Sequence, residues 1–187
     1  MRLTSSNMMD DASDHWLIER AITGDATAFA RLLERHYDVI HRVAYRWTGN
    51  VEDAEDIAQD VCIKLGTALA TYRRESAFTS WLFRITLNAV RDRQRKQKRD
   101  AAQLESVAHL AEAATPPLQE QTSEVHDLWS AVRQLPERQR DAVLLVYAEE
   151  LSHAEAAAAL GCAEKTVSWQ LHAARKKLKG LLEPSQS

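Results

Sequence analysis

The chain has 187 residues, of which 45% are hydrophobic and 27% charged, with a formal net charge of -3. These values are typical of a globular protein with one ordinary domain or two small ones. No apolar run is long enough to span a bilayer, and acidic residues occupy the N-terminal stretch where a secretory signal needs an apolar core. We therefore expect a cytoplasmic protein that does not insert into membranes.

Helical periodicity runs through most of the chain, and no alternation typical of strands competes with it. Asp14 is a candidate N-cap for a first helix that ends near Gly24. Asp25 is a candidate N-cap for a second, amphipathic helix that ends at Gly49. The sequence therefore predicts an all-α protein whose first two helices are delimited by local signals.

Two further helices complete a first domain. The periodicity predicts one helix over about 50–69 and another from about Thr79 into a basic run. Together the four helices are expected to form a compact bundle over 14–99. The preceding residues, 1–13, are predicted to be disordered.

A flexible linker is predicted at 100–123. This stretch combines a Pro116-Pro117 pair with many small and polar residues, so it cannot bury much apolar surface. A second, smaller helical domain is predicted over 124–182, followed by a short tail at 183–187.

The most informative stretch of the second domain is 151–178, which has the pattern of a helix-turn-helix. Ser152 and Glu155 can form a capping box at the start of a short, alanine-rich helix. Gly161 can take the left-handed conformation that a tight turn needs, and a second helix is predicted to start near Ala163.

The second helix of this motif is amphipathic. Its apolar face carries Val167, Leu171, Ala174 and Leu178. Its opposite face carries Lys165, Trp169, His172 and Lys176. The polar face is suited to a DNA major groove. An ordinary surface helical hairpin has the same cap, glycine and apolar stripe, and it stays the alternative for the motif taken alone.

Acidic and basic residues are segregated along the chain. Acids are packed together at 52–60, whereas basic residues dominate 84–99 and return at 175–179. Two separate basic patches indicate two contacts with phosphate. A single basic run is more often a solvated helix face, which is the alternative for each patch.

The acidic helix has an apolar residue on its solvent side. If Val61 is the centre of the buried face, then Glu52, Asp56, Gln59 and Ile63 lie nearly opposite. An apolar anchor within a polar rim is typical of a protein docking site. A solvated face with one exposed isoleucine is the alternative, and a metal site is less favoured because the carboxylates point in several directions.

The fourth helix begins with apolar residues on nearly every side. Aromatic rings beside a basic stretch suit unstacked nucleobases, which need a flat partner and a cationic path for the backbone. Core packing is the commoner role of such residues, and we assign Trp81 and Ile85 to the core.

No catalytic constellation is recognised in the sequence. None of the seven histidines has a metal-like spacing to another ligand, and there is no glycine-rich phosphate loop. We therefore expect no enzymatic activity, no cofactor and no metal. Cys62 and Cys162 are predicted to be reduced thiols, with a redox role as the less favoured alternative.

Three stretches, in this order, resemble the extracytoplasmic-function (ECF) group of bacterial RNA polymerase sigma factors over essentially 14–182. DAEDIAQDVCIKL resembles their helix that docks on the clamp of core polymerase. FTSWLFRITLNAVRD resembles the promoter-melting helix, and LPERQRDAVLLVYAEELSHAEAAAALGCAEKTV resembles the upstream-element domain. The resemblance implies a sigma-2-like four-helix bundle and a sigma-4-like helix-turn-helix domain.

The resemblance also implies a function and a set of site residues. The chain would bind core polymerase and direct it to promoters with paired minus-35 and minus-10 elements, in a stress or envelope-response regulon. Core-polymerase contacts fall on Asp53, Asp56, Gln59, Asp60 and Ile63. Minus-10 DNA contacts fall on Ser76, Phe78, Arg84, Asn88, Arg91 and Arg95. Minus-35 DNA contacts fall on Lys165, Thr166, Ser168, Trp169, Gln170, His172, Arg175 and Lys176.

One part of the chain departs from the family pattern. Family members often have arginines in the middle of the recognition helix, where this chain has Ser168, Trp169, Gln170 and Ala173. Guanine readout by arginine is therefore absent there. Gln170 is suited to reading adenine, and Trp169 to a thymine methyl group or an anti-sigma protein.

The expected partners are core RNA polymerase, promoter DNA and an anti-sigma factor, with a monomer when the protein is free of them. The alternative class is a ligand-sensing or dimeric helix-turn-helix regulator, which would bind duplex DNA unaided, usually as a dimer on a palindrome. An interaction module without DNA function is a third possibility, but it leaves both basic patches unexplained.

Overall fold

The computed structural model describes residues 13–105 and 123–182. Three predicted segments lie wholly or mostly outside the described residues. They are the disordered N-terminus at 1–13 except for residue 13, the linker at 100–123 except for 100–105 and 123, and the tail at 183–187. Within the described ranges the fold comprises eight α-helices and no strand, as the periodicity predicts.

The first domain consists of four helices. They are α1 (Asp14–Ile22), α2 (Ala26–Thr48), α3 (Val51–Ala68) and α4 (Phe78–Glu105). The N-cap of α1 is Ser13, whose Oγ accepts a hydrogen bond from the Trp16 amide at 3.4 Å. The prediction of Asp14 as this cap is wrong, because Asp14 is the first helical residue and its carboxylate pairs with Arg35 and His36.

Helix α2 begins and ends at the predicted residues. Asp25 Oδ1 accepts hydrogen bonds from the amides of Thr27 and Ala28, at 3.0 and 3.1 Å. These bonds satisfy two donors of the first turn and lower the pKa of Asp25, with Arg20 acting in the same direction. Gly49 ends the helix with φ at 74°, in the left-handed region.

The second domain contains the other four helices. They are α5 (Ser123–Arg133), α6 (Glu137–Val143), α7 (His153–Leu160) and α8 (Glu164–Leu182). Helix α6 continues directly into a π-helical turn, Leu144–Ala148, which the sequence did not predict. The capping box of α7 and the left-handed Gly161 are present, so the predicted helix-turn-helix is confirmed.

Helix α4 extends to Glu105, six residues past the predicted end of the first domain at 99. The added residues, DAAQLE, contain no glycine or proline and are mostly good helix formers, so nothing local ends the helix. The described helix therefore includes the first six residues of the predicted linker, 100–105.

The two domains pack against each other in the described structure. Helix α2 contacts α5 and the π-helical turn, and α4 contacts α7. Their buried apolar residues form one continuous cluster. Trp47, which is 1% exposed, lies where the cluster passes from one domain to the other. The linker composition alone gave no sign of this packing.

The capping box gives a first testable prediction. Ser152→Ala removes the acceptor of the Glu155 amide and is expected to destabilise the protein by about 1 kcal/mol. Hydrogen bonds from Ser152 lower the pKa of Glu155. The Glu155 carboxylate therefore stabilises the folded state at pH values above the ordinary carboxyl pKa, and this stabilisation is lost as the pH falls through the lowered pKa. Thermal unfolding monitored by circular dichroism measures both effects. Thr67→Ala, an exposed hydroxyl within α3, is the control and should change stability less.

Candidate functional site

The residues of the docking face predicted on α3 are only in part available at the surface. Ile63 is 74% exposed, and Gln59 and Asp60 lie exposed beside it on the same helix. Asp53 and Asp56 are held by the domain itself, because Arg93 lies 2.9 Å from Asp53 and 2.8 Å from Asp56. Gln97 adds two hydrogen bonds to Asp53. The surface available to a partner is therefore centred on Ile63, with Gln59 and Asp60 as its free polar groups. We call it the α3 face.

The loop before α4 forms a small polar cleft of about 330 Å³. Its lining includes Tyr72, Ser76, Trp81 and Arg84. The Tyr72 hydroxyl donates a hydrogen bond to the Ser76 carbonyl at 2.7 Å, which fixes the loop. Burial raises the pKa of Tyr72, so the phenol stays protonated as a donor. The cleft combines an aromatic wall with a cationic rim.

Phe78 does not line this cleft. It is 7% exposed and packs edge-on against His36 and Tyr72, with ring centroids 5.2 and 5.5 Å apart. The ring has no free face for a base, so its assignment as a minus-10 contact conflicts with the structure. Trp81, which the sequence assigned to the core, is half-buried: it packs against the core and also borders the cleft.

The other predicted minus-10 residues on α4 differ in their exposure to solvent. Arg84, Asn88 and Arg95 are exposed. Arg91 is turned toward the second domain, where its guanidinium contacts Asp141 and lies 2.6 Å from Glu137. It also donates to Asn88 Oδ1 at 3.0 Å.

Helix α8 presents most of the predicted minus-35 residues. The exposed members are Lys165, Ser168, Trp169, His172, Arg175 and Lys176. Trp169 is 62% exposed, and Arg175 is held by the Tyr147 hydroxyl. Thr166 is half-buried, and Gln170 is only 9% exposed. Gln170 lies on the buried face of α8 together with Val167, Leu171 and Ala174, so the predicted adenine contact is not available.

Three residues at the domain boundary were missed by the sequence analysis: Trp47, Asp141 and Glu149. Asp141 is fully buried, and burial raises its pKa although Arg91 and the Trp47 hydrogen bond act in the opposite direction. One sequence signal existed, because Leu144 and Leu145 follow Asp141 by three and four residues, which is the spacing of one helix face. A charge at such a position needs a buried partner.

Other site types receive no support from the part of the chain that the structure describes. It contains no group of three metal-ligating side chains and no helix long and apolar enough to cross a membrane. Both cysteines are free thiols. Burial raises the pKa of the Cys62 thiol, which lowers its reactivity.

Comparison with known proteins matches both domains. Residues 32–100 match the family model for Sigma-70 region 2, and residues 126–178 match that for Sigma-70, region 4. The ECF RNA polymerase sigma factor SigM of Mycobacterium tuberculosis is 35% identical, over 92% of this chain and 86% of its own length. The RNA polymerase sigma factor NccH of Alcaligenes xylosoxydans is 34% identical, over 96% of this chain and 100% of its own.

Solved structures agree with these matches. RpoE of Bartonella quintana, in complex with the anti-sigma factor NepR, superposes with a TM-score of 0.69 at 26% identity, over 84% of this chain and 98% of that one. CnrH, in complex with the cytosolic domain of CnrY, gives 0.68 at 28% identity, over 93% and 99%.

Two helical domains, one with an acidic helix and one with a helix-turn-helix, together with the two family matches define the class as a transcription initiation factor of the sigma-70 type. Given these matches, the chain belongs to the ECF RNA polymerase sigma factors of the sigma-70 family. It is a promoter-recognition subunit.

Proposed function

We propose that this sigma factor docks on core polymerase through the α3 face, opens the minus-10 element with the loop and helix α4, and reads the minus-35 duplex with α8. The observation that carries the proposal is that one chain presents an exposed isoleucine, Ile63, and two exposed cationic surfaces on separate domains. Docking needs the anchor, and promoter recognition needs both surfaces.

The minus-10 function is supported by the cleft between Tyr72 and Arg84. A base that leaves the duplex loses its stacking, and an aromatic wall such as Trp81 replaces part of it. Arg84 and Asn88 follow at helical spacing and remain exposed. In this proposal Trp81 supplies the stacking surface, and Phe78, a predicted minus-10 contact, is a packing residue.

The minus-35 function is supported by the exposed side of α8. Its side chains follow the geometry of a recognition helix, in which N-terminal residues reach base edges and later cations reach phosphate. Lys165 and Trp169 take the first role here, and Lys176 takes the second. Trp169 carries no hydrogen-bond acceptor and offers the T methyl an apolar surface.

Trp169→Ala is expected to alter the preferred upstream sequence by about 1–3 kcal/mol at one base pair while leaving promoter opening intact. Selection from a randomised minus-35 library with the holoenzyme measures this. Trp16→Ala, which also removes an exposed indole but lies on α1, should leave the preference unchanged. If the Trp169→Ala variant and the parent prefer the same upstream sequence, then Trp169 does not read a base.

The regulation of the protein is also part of the proposal. We infer that an anti-sigma protein binds this chain and that its regulon responds to stress or to the cell envelope. Binding by an anti-sigma protein is supported by the related structure of the sigma factor RpoE in complex with the anti-sigma factor NepR.

Assembly with core enzyme tests the proposed function against a helix-turn-helix regulator. In size-exclusion chromatography the free protein should elute as a monomer and should shift to the elution volume of core polymerase when the two are mixed. A stable dimer that binds a palindromic duplex without polymerase would contradict the proposal.

A further inference from the structure

A cavity of about 380 Å³ lies where the C-terminal end of α2 meets α4, α5 and α6. Most of its wall is made of three cationic side chains, two amides and one hydroxyl, those of Lys98, Arg133, Arg140, Gln94, Gln97 and Thr48. Within the described residues no carboxylate lines it. Like charges on one concave surface disfavour one another, and an anion between them removes that cost.

The carboxylates that act on these lining residues are engaged by other groups. Asp141 and Glu137 of α6 are both ion-paired with Arg91, which does not line the cavity. Asp53 accepts two hydrogen bonds from Gln97 Nε2, at 2.9 and 3.0 Å. The three lining cations themselves form no ion pair in the ranges that the structure describes. Their charges are therefore available to a ligand.

The Arg140 guanidinium is partly buried and lacks an acceptor for one of its donors. Its Nη2 donates to the Leu135 carbonyl at 3.1 Å, whereas its Nε is buried and has no hydrogen-bond partner within the described residues. Burial lowers the pKa of Arg140, and the charge of Arg133 acts in the same direction. A buried donor without an acceptor costs free energy, which an oxyanion in the cavity would offset.

The Arg133 guanidinium is placed by its own helix and by the turn after α2. Its Nη2 donates to Ser130 Oγ at 3.0 Å. A Cβ added at Gly49, whose φ is 74°, would lie 2.8 Å from Arg133 Nε, so the glycine lets the guanidinium approach the turn. Two positioned guanidinium groups suit phosphate, because their planar forks match its oxygens. Lys98, which is exposed, adds a third charge from α4.

We propose that this cavity binds a small polyphosphate anion through Lys98, Arg133 and Arg140. Its volume is at the lower end of the range of small-molecule sites, about 300–1,000 Å³, which favours a free ligand over a polymer. Trp47 also lines the cavity, but it is 1% exposed and the Arg140 guanidinium lies 4.1 Å from its ring centre. No ring face is therefore left for a base, and the site recognises phosphate. It goes beyond the proposed function, since none of its residues belongs to either promoter contact set.

Isothermal titration calorimetry of the full chain with pyrophosphate, at constant ionic strength, is the first measurement. Lys98→Gln and Arg133→Gln are each expected to weaken binding about ten-fold, because each removes a charge-assisted hydrogen bond. Lys96→Gln and Arg138→Gln are the matched controls, since both residues are exposed cations that do not line the cavity. If circular dichroism shows that Arg133→Gln does not fold, the exposed Lys98 still provides the test.

The indole N–H signal of Trp47 in nuclear magnetic resonance spectra locates the ligand. Trp47 lines the cavity, and its indole nitrogen donates to Asp141 at 2.7 Å. Pyrophosphate is expected to shift this signal and to leave those of Trp16 and Trp169 unchanged, because both of these side chains are exposed elsewhere. A Trp47 signal that does not move with pyrophosphate would overturn the proposal.

Free polyphosphates and nucleic-acid backbones share the same phosphate chemistry, and a third measurement separates these two sources. Fluorescence anisotropy with a random-sequence duplex should give similar affinities for Lys98→Gln, Arg133→Gln and their two controls, because each removes one charge. Equal pyrophosphate affinity in the parent and all four variants would overturn the site. Loss of duplex affinity in the two cavity variants alone, with pyrophosphate affinity unchanged, would assign the cavity to DNA and overturn the free ligand.

Discussion

Ile63→Ala is expected to weaken binding to core polymerase by about 2 kcal/mol, or about 30-fold in Kd. The side chain is 74% exposed in the free protein, so the substitution removes an anchor without removing packing from the domain. Charge reversal at Asp60, within the same α3 face, should weaken binding further through lost complementarity. Biolayer interferometry with immobilised core enzyme measures both effects.

Ile22→Ala is the control for this experiment. Ile22 is 45% exposed at the end of α1, so the same atoms are removed from a different face. The control should bind core polymerase as the parent does, and all variants should unfold at nearly the same temperature. Equal affinity of the Ile63 variant and the parent would remove the docking assignment.

Asn88→Ala is expected to reduce promoter opening by about ten-fold or more while holoenzyme assembly stays normal. Opening requires unstacking at a cost of a few kcal/mol, which contacts with the separated strand must offset. Asn88 is exposed, and its amide can donate and accept toward a base edge. Permanganate reactivity of unpaired thymines on one promoter measures the open fraction.

Two comparisons make this result specific. Gln134→Ala removes an exposed amide from the second domain and should melt the promoter as the parent does. Phe78→Ala is expected to lower the stability of the first domain, because its ring is packed against His36 and Tyr72. If promoters melt as readily with the Asn88 variant as with the parent, the single-strand role of α4 is wrong.

The fold was largely predictable because the ends of its helices are determined by residues close in sequence. Asp25 and Gly49 delimit α2, and Ser152 and Gly161 delimit α7, through hydrogen bonds and backbone angles that involve neighbouring residues. The end of α4 was not predictable in this way. Nothing between 99 and Glu105 breaks a helix, and composition gives only the average tendency of a segment.

The exposure of the site residues was predictable only on helices that have one clearly apolar and one clearly polar face. Ile63 and Trp169 are exposed as the helical spacing indicated. Phe78 lies on a helix that is apolar on nearly every side, so spacing could not show which residues are buried. The role of Arg91 depends on Asp141, fifty positions away, and no local pattern contains that pairing. Gln170 is buried beside Val167, Leu171 and Ala174, a position that the helical spacing does indicate.

Transcription from genomic DNA with purified core polymerase, followed by mapping of RNA 5′ ends, tests the sigma assignment most directly. With the protein added, we predict discrete start sites that share paired upstream elements and that are absent with core enzyme alone. Trp169→Ala should change the upstream element of these sites, and Asn88→Ala should reduce their yield. A start-site pattern identical to that of core polymerase without the protein would contradict the account.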